Sequence, residues 1–450
     1  MSAPELSYAE ALAAVESRGR YGIRLGLGRV RALLRELGEP QRTVRGALVA
    51  GTNGKGSVIA LAGSALRAAG YRVGATPKPH LVTYRERILV EGRPIAADTF
   101  AQLVGEVLPI VDRVSRRLGP PTEFELLTAV MFLHFARAGL DLALVEVGLG
   151  GRLDATNAWD GGVAALTNVG LDHTAQLGPT VGAIAREKVQ IVKRGNRAVT
   201  GAHGEALSIM RRRCGRLGVP LLVSQPAPVL GWTRDVLRVE LPRLGAVDVG
   251  LRGRHQAANV AVADGLLDAL EDAALVTVPA EARRRGYAEA RWPGRLELVE
   301  ASGGREVLLD GAHNEDGARA LARAIEDLRP FLSSGRLAIV WASLADKDVS
   351  AAVRALTAST VVDGATVICT AVDLPRAMPA HDLATAWRTE AAAAGRRVSV
   401  RAAAGPKAAL EHALDSPGGG PVIVAGSLYL VGAARALLVD DPLLRDPVPA

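Results

Sequence analysis

The chain has 450 residues, of which 49% are hydrophobic and only 4% aromatic, so we expect two or three domains with aliphatic cores. The net charge of +7 is compatible with anionic ligands, but no helix-turn-helix, zinc-finger or aromatic–basic pattern indicates nucleic-acid binding. No apolar run reaches about 18 residues, the first residues do not resemble a signal peptide, and the two cysteines lie far apart. We therefore expect a cytoplasmic protein without a membrane span or a disulfide.

A glycine-rich stretch follows the first helical segment, residues 5–38. In Ala47-Leu-Val-Ala-Gly-Thr-Asn-Gly-Lys-Gly-Ser57, a short apolar strand passes through three glycines into a helical pattern. Such turns bring backbone N–H groups and a helix N-terminus to a polyphosphate, while Lys55 can reach the terminal phosphates and the Ser57 hydroxyl can bind magnesium. The stretch predicts a nucleotide-binding loop, although Gly56 departs from the general P-loop spacing. The alternative is a glycine turn that binds no ligand.

Strands and helices alternate through the rest of the chain. A helix predicted at Thr122–Ala138 precedes the clearest buried strand, Leu140–Val147. Alternation to about residue 270 predicts a parallel sheet with crossover helices. A second alternating series follows, and its predicted strands are Val307–Leu309, Leu337–Trp341, Thr366–Thr370, Val398–Arg401 and Val422–Ala425.

These patterns predict an α/β protein with two domains. Arg291-Trp-Pro-Gly294 interrupts the alternation and is typical of a linker. We therefore predict an ATP-binding P-loop domain with a parallel sheet at residues 1–288, a linker at 289–295, and a smaller doubly wound, Rossmann-like domain at 296–450. The segment Asp441–Ala450 contains three prolines and is predicted to be a loose tail.

Polar side chains at two predicted strand ends form a candidate metal site. Glu146 and His173 each lie where a strand gives way to a loop, and ligands bind open α/β sheets at that edge. With the Ser57 hydroxyl they are a plausible set of magnesium ligands around ATP phosphates. His173 could equally be a packed or capping histidine. Lys188 could join the set only if carbon dioxide converted its amine to an anionic carbamate, and the alternative is an ordinary helix-surface lysine.

The second series contains a matching strand-to-helix site. Asp310-Gly-Ala-His-Asn314 follows a strand and opens a helix, which places Asp310 at the ligand edge of that sheet. Arg295 lies just past the predicted linker and could reach a phosphate if the domains close. The alternative is a helix cap formed by Asn314 or Asp310.

Motifs distributed along the whole chain point to one family. They are Val49–Ser57, Pro79–Leu81, Arg85–Arg87, Glu146–Asn157, Thr167–His173, Glu187–Lys188, His255–Gln256, Gly294–Glu297, Asp310–Asn314, Asp346–Asp348 and Gly426–Gly432. In this order they resemble the folylpolyglutamate synthase/dihydrofolate synthase family of the Mur ligase superfamily. The resemblance implies a P-loop, Mur-ligase-type central domain and a C-terminal ligase domain.

The resemblance also implies a reaction and a set of site residues. A substrate carboxylate, of folate type, would attack the γ-phosphate of ATP to give an acyl phosphate, and an amine, usually that of glutamate, would displace phosphate. The implied nucleotide-binding residues are Gly51, Thr52, Asn53, Gly54, Lys55, Gly56, Ser57, Asn259, Arg295 and Asp310. The implied Mg²⁺ ligands are Ser57 and Glu146 for one ion, and Glu146, His173 and carbamylated Lys188 for a second. Substrate-side residues are Lys78, His80, Asp154 and His313, and the catalytic residues are Lys55, Lys188 and His313.

Two positions depart from the family pattern. Lys78 occupies a position where the family usually has serine, and Val189-Gln190 replaces the usual Ala-Gly. Pro77 and Pro79 make the loop around Lys78 a structured one, in which the lysine contacts substrate or points to solvent. The leading hypothesis is a folate-type glutamate ligase that acts as a monomer on small molecules. The alternatives are a Mur-type ligase that joins a non-folate acid to an amine, and a nucleotide-binding module without catalytic activity.

Overall fold

The computed structural model describes residues 5–22 and 24–447. Backbone contacts divide the chain into two compact units: the first comprises Met1–Pro226, Ala258–Tyr287 and Leu443–Ala450, and the second comprises Ala227–Ala257 and Ala288–Pro442. Each unit contains a sheet of mainly parallel strands, which confirms the predicted α/β class. The predicted domain boundaries, 1–288 and 296–450 with a linker at 289–295, stay a prediction.

The first unit is built on an eight-stranded sheet. Its strands are β1 (Gly46–Ala50), β2 (Val73–Thr76), β3 (Leu89–Val90), β4 (Arg93–Pro94), β5 (Leu142–Glu146), β6 (Gly162–Leu166), β7 (Arg197–Thr200) and β8 (Leu221–Val223). Their order is β4-β3-β2-β5-β1-β6-β7-β8, and only the β2–β3 and β3–β4 pairs are antiparallel. Strands β1 and β5 are buried throughout, which explains their continuous aliphatic sequences. The carboxyl end of β1 therefore lies between those of β5 and β6.

Helices connect these strands. They are α1 (Tyr8–Glu16), α2 (Gly28–Glu36), α3 (Lys55–Ala68), α4 (Ala97–Leu118), α5 (Glu123–Arg137), α6 (Thr174–Leu177), α7 (Val181–Lys188), α8 (Gly204–Leu217), α9 (Gln256–Asp272) and α10 (Ala280–Glu289). Helix α5 confirms the helix predicted at 122–138. It begins with a capping box, in which the Thr122 hydroxyl accepts from the Glu125 N–H at 3.2 Å and the Glu125 carboxylate accepts from the Thr122 N–H at 2.8 Å.

The second unit contains a six-stranded sheet. Its strands are β12 (Glu297–Glu300), β13 (Glu306–Leu309), β14 (Ala338–Trp341), β15 (Thr366–Cys369), β16 (Ser399–Ala402) and β17 (Val422–Ala425), in the order β12-β13-β17-β14-β15-β16. The connecting helices are α11 (Glu315–Leu328), α12 (Val349–Thr357), α13 (Ala380–Ala393), α14 (Pro406–Leu414) and α15 (Leu428–Leu438). The five predicted strands are all present. The sixth, β12, is an antiparallel edge strand whose short charged sequence resembles a loop.

The prediction of parallel alternation to about residue 270 is wrong for one segment. Strands β9 (Val229–Trp232), β10 (Leu237–Leu241) and β11 (Gly245–Val249) form a separate antiparallel sheet in the order β11-β10-β9. The connections between them are too short for crossover helices, so the strands must form hairpins. The second hairpin turns at Gly245, whose φ of 67° favours glycine.

The loose tail predicted at Asp441–Ala450 is not observed in its described part. Pro442–Leu444 forms a short 3-10 turn, and the following residues contact the first unit's own loop at Arg85, whereas residues 448–450 lie outside the described chain. Among the described residues, every helix is too short or too polar to span a membrane.

Candidate active site

The glycine-rich loop between β1 and α3 is closely packed against its neighbours. Gly51 has a φ of 155° and Gly54 a φ of 81°. A Cβ atom at Gly51 would lie 1.9 Å from the Thr167 hydroxyl, and one at Gly54 would lie 2.2 Å from the Asn259 Oδ1 atom. Only glycine fits both the conformation and the space at these two positions.

Residues after β6 hold the backbone of this loop. The Thr52 N–H donates to the Asn168 carbonyl at 3.0 Å, and the Asn53 N–H donates to the Asn168 side-chain oxygen at 2.9 Å. The Thr167 hydroxyl donates to the Asn53 carbonyl at 2.6 Å. Thr167 and Asn168 were not predicted as site residues, although their motif was recognised. Their hydrogen bonds give the loop one fixed backbone arrangement.

Lys55 and Lys188 both approach the carbonyl oxygen of Gly51. The Lys55 ammonium donates to that oxygen and to the Thr52 carbonyl, each at 3.1 Å. The Lys188 Nζ atom donates to the same Gly51 oxygen at 2.9 Å. Lys188 is only 6% exposed, so it is not the helix-surface lysine of the alternative interpretation. Burial, and then the charge of Lys55, lower the pKa of Lys188 to about 7.

Glu146 lies at the end of β5, where the predicted strand placed it. Its side chain is buried, and one carboxylate oxygen lies 3.8 Å from the Lys55 ammonium. The other oxygen accepts from the Lys78 backbone N–H at 3.1 Å. The structure therefore supplies the partners that a carboxylate in an apolar strand requires.

Lys78 points inward and not to solvent. Its ammonium donates to the Glu146 carbonyl oxygen at 2.6 Å and lies 4.2 Å from the centre of the Phe124 ring. Burial lowers the pKa of Lys78 to about 8, and the carboxylates of Asp154 and Glu146 oppose that shift. Phe124 lies at the start of α5, within the segment predicted as a helix. The structure shows that it also packs against the one lysine that departs from the family pattern.

Two further predicted substrate-side residues, Asp154 and His80, form hydrogen bonds with residues close to them in the sequence. The buried Asp154 carboxylate accepts from the N–H groups of Leu149 at 2.8 Å and Thr156 at 3.0 Å. The His80 Nδ1 atom accepts from the Arg87 guanidinium at 2.9 Å, so the imidazole proton is on Nε2. Direct contacts of Asp154 and His80 with substrate stay predictions.

His173 occupies the predicted loop after β6. It immediately precedes α6 and has a left-handed φ of 51°. Its backbone N–H donates to the Asp172 carboxylate at 2.8 Å. Among the described residues, no group of three or more His, Cys, Asp or Glu side chains is arranged to hold a metal. The predicted ligand set contains one carboxylate and one imidazole together with the Ser57 hydroxyl and a modified Lys188, and it stays a prediction.

The second unit brings together Arg295, Asp310 and His255. The Asp310 carboxylate accepts from the Leu296 N–H at 3.0 Å and the Ala312 N–H at 2.9 Å. Burial lowers the pKa of His255, with Asp310 opposing that shift and Arg295 adding to it. The Arg295 guanidinium lies against the loop that follows Asp310, since a Cβ atom at Gly311 would be 2.3 Å from its Nη1 atom.

Asn314, and not Asp310, caps helix α11. Its Oδ1 atom accepts from the Gly317 N–H at 2.9 Å. Asp310 is thus not needed as the cap, which removes that half of the alternative interpretation. His313 lies beside Asn314, and its Nδ1 atom is 2.7 Å from the Gly311 carbonyl oxygen, which requires a proton on Nδ1.

Comparisons with known proteins identify relatives along nearly the whole chain. Residues 294–428 match the family described as Mur ligase, glutamate ligase domain. The dihydrofolate synthase/folylpolyglutamate synthase of Bacillus subtilis (strain 168) is 35% identical over 388 residues, which cover 84% of this chain and 88% of that protein.

Solved structures show the same similarity. Mycobacterium tuberculosis folylpolyglutamate synthase complexed with ADP and AMPPCP has a TM-score of 0.84 and 31% identity, and the match covers 97% of this chain and 100% of that one. E. coli FolC in complex with DHPP and ADP has a TM-score of 0.79 and 29% identity, with coverages of 96% and 98%.

Protonation of His80 provides a pH-dependent test of this geometry. Burial, and then Arg87, lower the pKa of His80 to about 3, whereas an unfolded histidine titrates near about 6.5. Between these values the unfolded chain binds a proton that the folded chain does not, so this group destabilises the fold as the pH falls. His80→Asn keeps an acceptor for Arg87. We expect its Tm to fall less than the wild-type Tm does between about pH 7 and about pH 4.5.

The exposed residue His381 provides the control for this experiment. The Tm of His381→Asn should follow that of the wild type at both pH values. If His80→Asn lost as much Tm as the wild type, His80 would not be held neutral by its surroundings.

Proposed function

The chain belongs to the folylpolyglutamate synthase/dihydrofolate synthase family, and from this we propose that it is an ATP-dependent ligase that joins glutamate to a folate-type acid. The observation that carries the proposal is the convergence of Lys55 and Lys188 on the Gly51 carbonyl, with the Glu146 carboxylate 3.8 Å from Lys55. Two amines that donate to one glycine-rich loop, and a carboxylate beside one of them, suit a polyphosphate and its counter-ion. The names of the relatives support a folate-type substrate over the non-folate alternative, and they support a ligase over an inactive nucleotide-binding module.

The first step of the proposed reaction, transfer of phosphate to the acid, takes place at the glycine-rich loop. We propose that the N–H groups of the loop and of the first turn of α3 orient the β- and γ-phosphates of ATP. Lys55 would leave its loop carbonyls to meet the phosphate charge that develops as the substrate carboxylate attacks. The acid then carries an acyl phosphate, and the amine of glutamate displaces phosphate from it. ADP and phosphate are therefore released separately from the amide product.

Magnesium fits the donor set around this loop. Glu146 and Ser57 are buried side chains with oxygen donors, the ligand type that magnesium prefers. Ser57 and Glu146 would hold one ion, Glu146, His173 and carbamylated Lys188 would hold a second, and both would neutralise phosphate charge. A buried lysine whose pKa is about 7 is largely a neutral amine above that pH, which is the form that reacts with carbon dioxide.

The remaining assignments concern nucleotide and substrate contacts. We propose nucleotide contacts for Asn259, Arg295 and Asp310, and a role beside the incoming amino acid for His313. The chain would act as a monomer, since one chain supplies every residue of the proposed set. Cys214 and Cys369 are both buried and unpaired, which supports a reducing, cytoplasmic environment.

The order of the chemistry tests the proposed function. With ATP, Mg²⁺, glutamate and either dihydropteroate or tetrahydrofolate, we expect ADP and phosphate to form only when the acid is present. Amide product should also require glutamate. Lys55→Ala should remove this activity, whereas Lys407→Ala, at an exposed lysine on α14, should retain it. Product formation with AMP and pyrophosphate in place of ADP and phosphate would contradict the mechanism.

Lys188 provides a second test. We expect Lys188→Ala to lower kcat by about 100-fold or more with the fold intact, because a metal ligand is removed. Lys188→Arg should be equally inactive, since a guanidinium keeps the charge but cannot become a carbamate. A small added carboxylic acid should restore part of the activity of Lys188→Ala. Near-normal turnover of either variant would show that no carbamate is needed.

Lys78 provides a test of specificity. Lys78→Ser should change the preference among acid or amine substrates more than the KM for ATP, because it removes the contacts with the Glu146 carbonyl and Phe124. We expect kcat/KM for the natural acid to fall about ten- to a hundredfold. Lys78→Met, which keeps the length but not the charge, separates charge from volume. Unchanged kcat/KM for every substrate would mean that Lys78 has no role in recognition.

A further inference from the structure

Arg85 is a buried side chain to which the reaction proposed above assigns no role. It is 7% exposed, and its guanidinium makes four hydrogen bonds. One goes to the Ile95 carbonyl at 3.4 Å. The other three go to a segment far away in sequence: the Asp446 carboxylate at 3.0 Å, the Leu443 carbonyl at 3.0 Å and the Arg445 carbonyl at 2.8 Å. We call Leu443–Asp446 the clasp segment.

Asp446 also binds the residue that opens the turn containing Arg85. The same carboxylate oxygen that accepts from Arg85 accepts from the Thr83 hydroxyl at 2.6 Å. Thr83 caps the short 3-10 turn Tyr84–Arg87, and the Tyr8 hydroxyl lies 3.3 Å from its side-chain oxygen. One carboxylate of the clasp segment therefore connects the cap of the turn to its central arginine.

The turn in its own right fixes the backbone before it. The Glu86 carboxylate accepts from the N–H groups of Leu81 at 3.2 Å, Val82 at 2.7 Å and Thr83 at 2.8 Å. Because three N–H groups donate to one carboxylate, the backbone of residues 81–83 is held in a single arrangement relative to the turn.

The predicted substrate side chains lie at the other end of this stretch. Arg87 donates to the His80 ring at 2.9 Å, and the rings of His80 and Tyr84 are 4.3 Å apart. Lys78 lies two residues before His80 in the sequence, and its ammonium donates to the Glu146 carbonyl oxygen. A continuous series of contacts thus leads from the clasp segment through the turn to His80, and two residues of backbone connect His80 to Lys78.

We propose that Arg85 and Asp446 are positioning residues: through them the clasp segment holds the turn Tyr84–Arg87, and so presents His80 and Lys78 to the acid substrate. The inference rests on the proposed function for the assignment of His80 and Lys78 to the acid. Arg85 acts through its planar fork, which reaches a carboxylate and two carbonyls of the clasp segment together, so lysine cannot replace it.

Two measurements on the full chain test this role. The first is hydrogen exchange at the amides of Leu81, Val82 and Thr83 without any substrate. We expect exchange in Asp446→Ala to be about tenfold faster or more, because the turn that protects these amides loses its clasp. Asp446→Asn, which keeps an acceptor oxygen, should show a smaller increase, and Arg85→Lys should resemble Asp446→Ala.

The second measurement is steady-state kinetics. We expect Asp446→Ala to raise the KM for the acid about three- to tenfold, while the KM for ATP changes by less than about twofold. Asp363→Ala is the matched control, because it removes a surface aspartate that, like Asp446, accepts from an arginine side chain. Asp363 accepts in addition from the backbone N–H of that arginine. This control should change neither the exchange nor either KM.

The two measurements distinguish the outcomes. Unchanged exchange in Asp446→Ala would overturn the inference, as would equal increases in both KM values together with a lower Tm, since these indicate a purely structural role. If the wild type formed no amide product, the proposed function would fail by itself. The exchange comparison would still decide whether the clasp segment holds the turn.

Discussion

The Gly51 carbonyl oxygen is the point on which the first unit's candidate site depends. It accepts hydrogen bonds from two amines, those of Lys55 and Lys188, which come from different helices. The residue at this position must be glycine, since a side chain there would occupy the position of the Thr167 hydroxyl. One backbone oxygen therefore sets the distance between the glycine-rich loop and the end of α7. The fold holds the Lys55 ammonium 3.8 Å from the Glu146 carboxylate and buries Lys188 against the same loop, where an anion is expected.

Much of the fold could be predicted from the sequence because its signals are local. The glycine-rich turn, the aliphatic runs of β1 and β5 and the helix α5 each depend on neighbouring residues. The five parallel strands of the second unit were predicted for the same reason. The antiparallel sheet at 229–249 was missed, since its short hairpins lack the Asn-Gly or Asp-Gly turns that would identify them and its strands alternate like exposed segments.

The candidate site was less predictable, because its geometry depends on contacts between distant residues. The residue types at the strand ends identified Glu146 and His173, but not the direction of Lys78, which Phe124 and the Glu146 carbonyl determine. The same limit applies to Lys188: its position on α7 is compatible with the surface, and only the tertiary fold buries it against Gly51. The contacts of Arg85 join residues about 360 positions apart, which no local pattern indicates.

The division of the chain has a consequence for its synthesis. The first unit includes residues up to Pro226, then Ala258–Tyr287, and finally Leu443 onward. A ribosome adds about 5–20 residues per second, so roughly ten to forty seconds separate the emergence of the large first segment from that of Leu443. During that interval Arg85 has none of the three acceptors that the last segment supplies. The ribosome must therefore finish synthesising the second unit before the first unit can reach its final form.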